Sequence, residues 1–217
     1  MFVHEKRGKE ALQSEPSLLP NFKHFAVHDC WASYFNLEHI QHAVCNAHIL
    51  RELEALVERE SQWAAKMKEL LLELYQLSQE GTAIVPDLAP YLLRYKQICR
   101  EADEEEPPPI KAAKQGKPKS SKGRNLLNRL SGLQDCVLAF AKYQNVPFIN
   151  NQAERDIRPA KSKIKMAGCF RKKEGAGYFA RIQAFISTAR KHAKSAFYEI
   201  INALMGDTFI SQLYPHA

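Results

Sequence analysis

The chain has 217 residues, 45% hydrophobic and 25% charged, with a formal net charge of +7 at pH 7, enough apolar content for one sizeable domain or two small ones. Five scattered cysteines (Cys30, Cys45, Cys99, Cys136 and Cys169) exclude a secreted disulfide framework and point to a reducing cytoplasm. The opening MFVHEKRGKE has no apolar run behind it, which excludes a visible signal peptide, and no apolar stretch reaches the roughly 18 residues of a membrane span.

In chain order, a short helical stretch around Glu10–Leu12 gives way to loop residues up to Pro20. Phe25-Ala26-Val27 reads as a brief strand ending at His28-Asp29, and Ala43-Val44-Cys45 as a second piece able to pair beside it. From about Asn46 to Gln79, Leu50, Leu53, Val57, Ala64, Met67, Leu71 and Leu74 recur at helical spacing, interrupted near Glu60. A second helix, about Asp87 to Glu101, carries Leu88, Tyr91, Leu92, Tyr95 and Ile98.

Composition then changes. The acidic run Asp103–Glu106 meets Pro107-Pro108-Pro109, which cannot continue a helix. Lys111 to Arg124 is basic, holds no acidic residue and buries little, so 103–123 reads as a mobile acidic-to-basic insert, either a phosphate-touching arm or a solvated linker. Leu126, Leu127, Leu130, Leu133, Val137, Leu138 and Phe140 predict a helix ending before Pro147. A short helix over Asn151–Arg158 is expected to stop at Pro159; Ile164–Phe170 is open between strand and ordered loop. Helices over Gly175–Lys191 and Ala196–Leu204 close the chain.

Asp29 follows the first strand, where open α/β folds place ligand-binding groups, although an Asp there is also a common turn or cap residue. His28 beside it would point to the opposite side of the strand. Glu154 sits three residues after Asn151, a capping-box spacing, and can pair with Arg158 four residues on. The functional reading joins Asp29 and Glu154 around divalent ions for in-line phosphoryl transfer. Arg155, Arg158, Lys161, Lys163, Lys165, Arg171, Lys172 and Lys173 crowd the residues after Glu154, as a surface for DNA phosphates would. Whole-chain positive charge alone is a weak indication of such a partner. Cys45-Asn46-Ala47-His48 has a Cys-x-x-His spacing that reaches one metal; only Cys30 and His42 lie near enough in sequence to complete a zinc set. A buried Cys45 and a hydrogen-bonded His48 at a strand-to-helix junction is the structural alternative.

The pieces HEKRGKEAL, VHDCWASYF, CNAHILREL, VPFINNQAERDIRP, KIKMAGCFR and GYFARIQAFISTAR, in this order, resemble the insertion-sequence transposases of the IS-sixty-six type. The resemblance covers essentially the whole chain and is strongest at Asn150–Pro159 and Cys45–His48. It implies an α/β, RNase H-like catalytic domain, incomplete and predominantly helical in this fragment, with an Asp, Asp, Glu set whose second aspartate falls on Asp29 and whose glutamate falls on Glu154. Cys45 and His48 match the family's Cys-x-x-His feature and are secondary site candidates. The family's first aspartate would lie upstream of Met1, so the isolated chain is expected to lack strand-transfer activity.

On this reading 1–102 is the central portion of the catalytic domain, 103–123 the insert, and 124–217 the portion with the glutamate motif and terminal helices. The implied function of the complete form is metal-dependent DNA cleavage and strand transfer with Mg2+ or Mn2+. The implied partners are double-stranded DNA and either a second copy or a missing N-terminal region, with no membrane, in the cytoplasm of a bacterial cell. The alternative is a non-catalytic DNA-binding or regulatory remnant. A purely structural helical protein is a third reading, which absent or salt-insensitive DNA binding would favour.

Overall fold

The computed structural model describes residues 2–6, 8–15, 17–79, 84–109 and 120–213. Their elements in order are α1 (Lys9–Leu12), β1 (Phe25–His28), α2 (Ala32–Phe35), β2 (Gln41–Val44), α3 (Asn46–Val57), α4 (Gln62–Gln79), α5 (Ala89–Glu105), α6 (Lys122–Gly132), α7 (Gln134–Val137), α8 (Ala139–Lys142), α9 (Asn151–Ala167), α10 (Lys173–Lys191), α11 (Ala196–Leu204) and α12 (Phe209–Leu213). They fall into two compact bodies, one formed by Leu18–Asn150 and the other by Met1–Ser17 with Asn151–Ala217. Among the described residues no helix is long and apolar enough to cross a membrane.

The expected α/β, RNase H-like architecture is not what this chain forms. Among the described residues the only sheet is the parallel pair β1–β2, four residues per strand, in the register Phe25↔Gln41 to His28↔Val44. The physical reason lies in the apolar spacing. Apart from these two runs, the apolar residues recur at intervals of three and four, and they are satisfied by helices packed on helices rather than by further strands.

In the Leu18–Asn150 body the core is built by α3 to α8, with Leu53, Trp63, Met67, Leu71, Leu74, Tyr95, Leu127 and Leu130 essentially inaccessible to water. The Tyr95 hydroxyl, carried into this core, donates to the Leu130 carbonyl at 2.9 Å. The long helix read over Asn46–Gln79 is two helices. Glu60 adopts φ 65 between them, a left-handed conformation that costs a non-glycine residue roughly 1–2 kcal/mol, and α3 packs on α4. The helix read over 126–140 is likewise broken, at Leu133 and Leu138, whose dihedrals leave the helical region. The breaks allow five consecutive residues, Val137 to Ala141, all to be buried, which one straight helix with a single apolar face cannot do. Ala139 turns toward a small cluster with Ala43 and Val146 against the strands, while Phe140 enters the main core.

The acidic run does enter a helix: α5 continues through Glu105, whose carboxylate accepts the Trp63 N–H in the first turn of α4. Ser121 caps α6 by accepting the Arg124 N–H at 2.8 Å, and Arg124 pairs with Asp103. Gly123 lies so close to Glu106 that a Cβ would stand 1.8 Å from its carboxylate oxygen. These contacts hold both flanks of the basic segment; the mobile arm or linker expected there falls largely on 110–119, outside the described residues.

In the other body α9 does not stop at Pro159 but runs on to Ala167, so Ile164–Ala167 is neither strand nor loop. Pro159 removes the hydrogen bond to the Arg155 carbonyl. The helix is held by packing on α10, through Asp156, whose carboxylate accepts from Ser187 Oγ at 2.6 Å and Lys191 Nζ at 2.7 Å. Gly168, at φ 74, takes the left-handed position that ends it. The buried faces of α10 are alanines (Ala176, Ala180, Ala189), and Phe209 of α12, which sequence spacing did not reveal, packs against Phe185. Lys173 pairs with Glu5, joining the N-terminal segment to this body.

Candidate metal and nucleic-acid site

Parallel pairing sets the geometry at one edge of the sheet. His28 and Val44 are register partners at the ends of β1 and β2, so Asp29 and Cys45, the next residues, emerge side by side from the carboxyl ends of the strands. The Cys45 N–H donates to the His28 carbonyl at 2.8 Å before the chain turns into α3. Asn46 then ties the start of that helix inward: its N–H donates to the Phe148 carbonyl at 3.0 Å and its amide to the Val137 carbonyl at 3.0 Å. His48 lies one turn into α3, half-buried, and Cys45 is fully buried.

Asp29 is exposed, and one carboxylate oxygen accepts the Trp31 N–H at 3.2 Å, the turn role weighed for it in the sequence. A carboxylate has further lone pairs, so this bond leaves it coordination capacity. His28 points the other way, into a cluster of rings, stacked on Tyr34 at 4.6 Å and edge-on to Phe35 at 4.9 Å. Its Nε2 is 2.9 Å from His42 Nδ1. Burial holds both imidazoles below their ordinary pKa, and His28 is a packing residue rather than a ligand.

The zinc set that Cys30 and His42 could have completed is not formed. His42 is engaged with His28, and Cys30 lies against the Arg129 guanidinium, which is itself bound by Glu52. Burial pushes the Cys30 thiol up, against the opposing pull of Arg129.

One residue of this edge was missed in the sequence. Asn150 donates its side-chain amide to the Val27 carbonyl at 2.6 Å, and its N–H to Cys45 Sγ at 3.2 Å. An Asn before a helix reads as a cap, and nothing in its spacing announces partners more than a hundred residues away.

Glu154 occupies the first turn of α9 in the other body, half-buried. The eight basic residues singled out are all exposed. On α9, Arg158, Lys161 and Lys165 follow Glu154 at steps of four, three and four residues, so they extend one stripe of the helix from the glutamate. Arg155 and Lys163 lie off that stripe, Arg171 and Lys172 lie in the turn before α10, and Lys173, first residue of α10, is occupied with Glu5. Asp156, not picked out in the sequence, has a carboxyl held below its usual range. Burial works to raise it, but bonds from Lys191, Ser187 and Gln152 outweigh this.

A family model described as Transposase IS66 family matches residues 1–178. No curated protein and no solved structure matches the chain.

Proposed function

This chain belongs to the IS66 family of transposases, and we propose that it is part of a transposase whose complete form carries out metal-dependent cleavage of double-stranded DNA and transfer of the cut strand, with Asp29 and Glu154 as metal-binding carboxylates. The observation that carries this reading is the Asn150 anchor. It ties the chain to Val27, two residues before Asp29, and to Cys45, and α9 starts at the very next residue. Glu154 follows four residues after Asn150 in the chain, in the first turn of α9.

Bound Mg2+ or Mn2+ would activate a water or 3′-hydroxyl and stabilise the oxygens of an in-line phosphoryl transfer. The donor chemistry fits in part. Asp29 and Glu154 offer the hard oxygens such ions prefer. Cys45 and His48, the secondary donors, are softer, and the Cys45 sulfur already accepts the Asn150 N–H. The protein's own part is to hold the carboxylates and to draw the DNA backbone along Arg158, Lys161 and Lys165, with Arg155, Lys163, Arg171 and Lys172 adding positive potential, while the charge of Lys173 is offset by Glu5.

Mn2+ titration followed by electron paramagnetic resonance tests this. Asp29→Asn and Glu154→Gln should each weaken Mn2+ binding, and unchanged binding in both would refute the assignment. The Asp29–Trp31 turn bond favours a second reading, DNA binding without chemistry. The Mn2+ titration separates the two, because that reading expects a salt-sensitive complex with duplex DNA and no metal binding that depends on Asp29 or Glu154.

A further inference from the structure

The face of α9 beside the basic stripe forms, with α10, a cleft of about 400 Å³ within the Asn151–Ala217 portion. Its centre is Asp156, which accepts from Gln152 at 3.0 Å, Ser187 at 2.6 Å and Lys191 at 2.7 Å. The one carboxylate lining the cleft is thus matched by the ammonium of Lys191. Arg155 and Arg190 line the same cleft, and among the described residues neither guanidinium makes a hydrogen bond or an ion pair. Both are exposed. Two arginines whose guanidiniums make no such bond therefore line one open hollow that has no unspent acid.

We propose that this cleft seats a phosphodiester of the DNA backbone between Arg155 and Arg190, so that the DNA-contacting surface extends from α9 onto α10. A guanidinium presents a planar fork of N–H donors matched to two oxygens of a phosphate, and the cleft is lined by one such residue from α9 and one from α10. Gln183, also lining the cleft, adds a carboxamide able to donate to the same group. A continuous polyanion is favoured over a lone phosphate because Arg155 lies three residues from Arg158. The cleft and the α9 stripe are neighbouring ridges of one helix. Asp156 is a positioning residue here: it fixes Lys191 and the α9–α10 packing, which sets the spacing of the two arginines.

The proposal rests on the DNA-binding reading above, and its test separates the two. Fluorescence anisotropy of the whole chain with a labelled duplex, across a potassium chloride titration, gives the slope of log K against log salt. Arg155→Gln with Arg190→Gln should lower that slope by about 0.9, the loss of one phosphate contact, with unchanged far-UV circular dichroism. The stripe variant Arg158→Gln with Lys161→Gln reports independently on α9. If the stripe variant lowers the slope and the cleft variant does not, the cleft assignment is overturned and the DNA reading stands. If the unsubstituted chain shows no salt-dependent binding, both fall. Should the double variant misfold, the exposed Arg190→Gln alone decides by the same slope, an unchanged value overturning the proposal.

Discussion

Asn150 reaches across 123 residues to donate its amide to the Val27 carbonyl, at 2.6 Å, and so closes the Leu18–Asn150 body at the edge from which Asp29 and Cys45 emerge.

Replacing Asn150 by Ala leaves a part-buried carbonyl without its donor, at a cost of about 1–3 kcal/mol. A lowered urea midpoint is expected, together with faster hydrogen exchange in the first turn of α9. An unchanged midpoint would show the bond to be incidental.

The His28–His42 pair makes the same body acid-sensitive. Both imidazoles titrate below their ordinary pKa of 6.5 in the folded protein, chiefly because they are buried. The unfolded chain therefore binds more protons, and stability is fully present above pH 6.5 and is lost as the pH falls through the depressed values. Thermal midpoints should decline on acidification below that point, and His42→Gln should flatten the decline. Identical pH profiles would refute this.

Asp156 behaves with a different window. Its folded pKa lies below the ordinary 3.8, so its contribution is present above that value and is lost as the pH falls through the lowered one. Lys191 is half exposed, so Asp156→Asn should cost less than about 1 kcal/mol at neutral pH. The difference between variant and parent urea midpoints should vanish in strong acid; a difference that persists there would assign the cost to packing.

Pro159 interrupts the hydrogen-bond ladder of α9 at the Arg155 carbonyl. Pro159→Ala restores the donor and a good helix former, and should raise stability by up to about 3 kcal/mol. Increased helical ellipticity with a higher thermal midpoint is the expected result. A fall in both would mean that the proline ring is needed where it packs in the α9–α10 cleft.

Much of the local architecture is legible in the chain because helix and strand periods are local properties. Leu53, Met67, Leu71 and Leu74 mark the α3–α4 face, Ala196–Leu204 coincides with α11, and the two short apolar runs become β1 and β2. Local reading failed where distant packing outweighed local preference. Pro159 lies inside a helix held by Asp156 on α10, Leu133 and Leu138 break a helix so that Val137 to Ala141 can all be buried, and the sheet expected from family resemblance has only two strands among the described residues.

The acids, basic stripe and Cys-x-x-His spacing were visible as residue types, since chemistry resides in side chains. Their partners were not: His28 with His42, Cys45 with Asn150, and Asp156 with Ser187 and Lys191 are joined by folding alone. Hydrogen bonds act over about 3 Å, and no spacing along a chain specifies which remote donor will arrive within that reach.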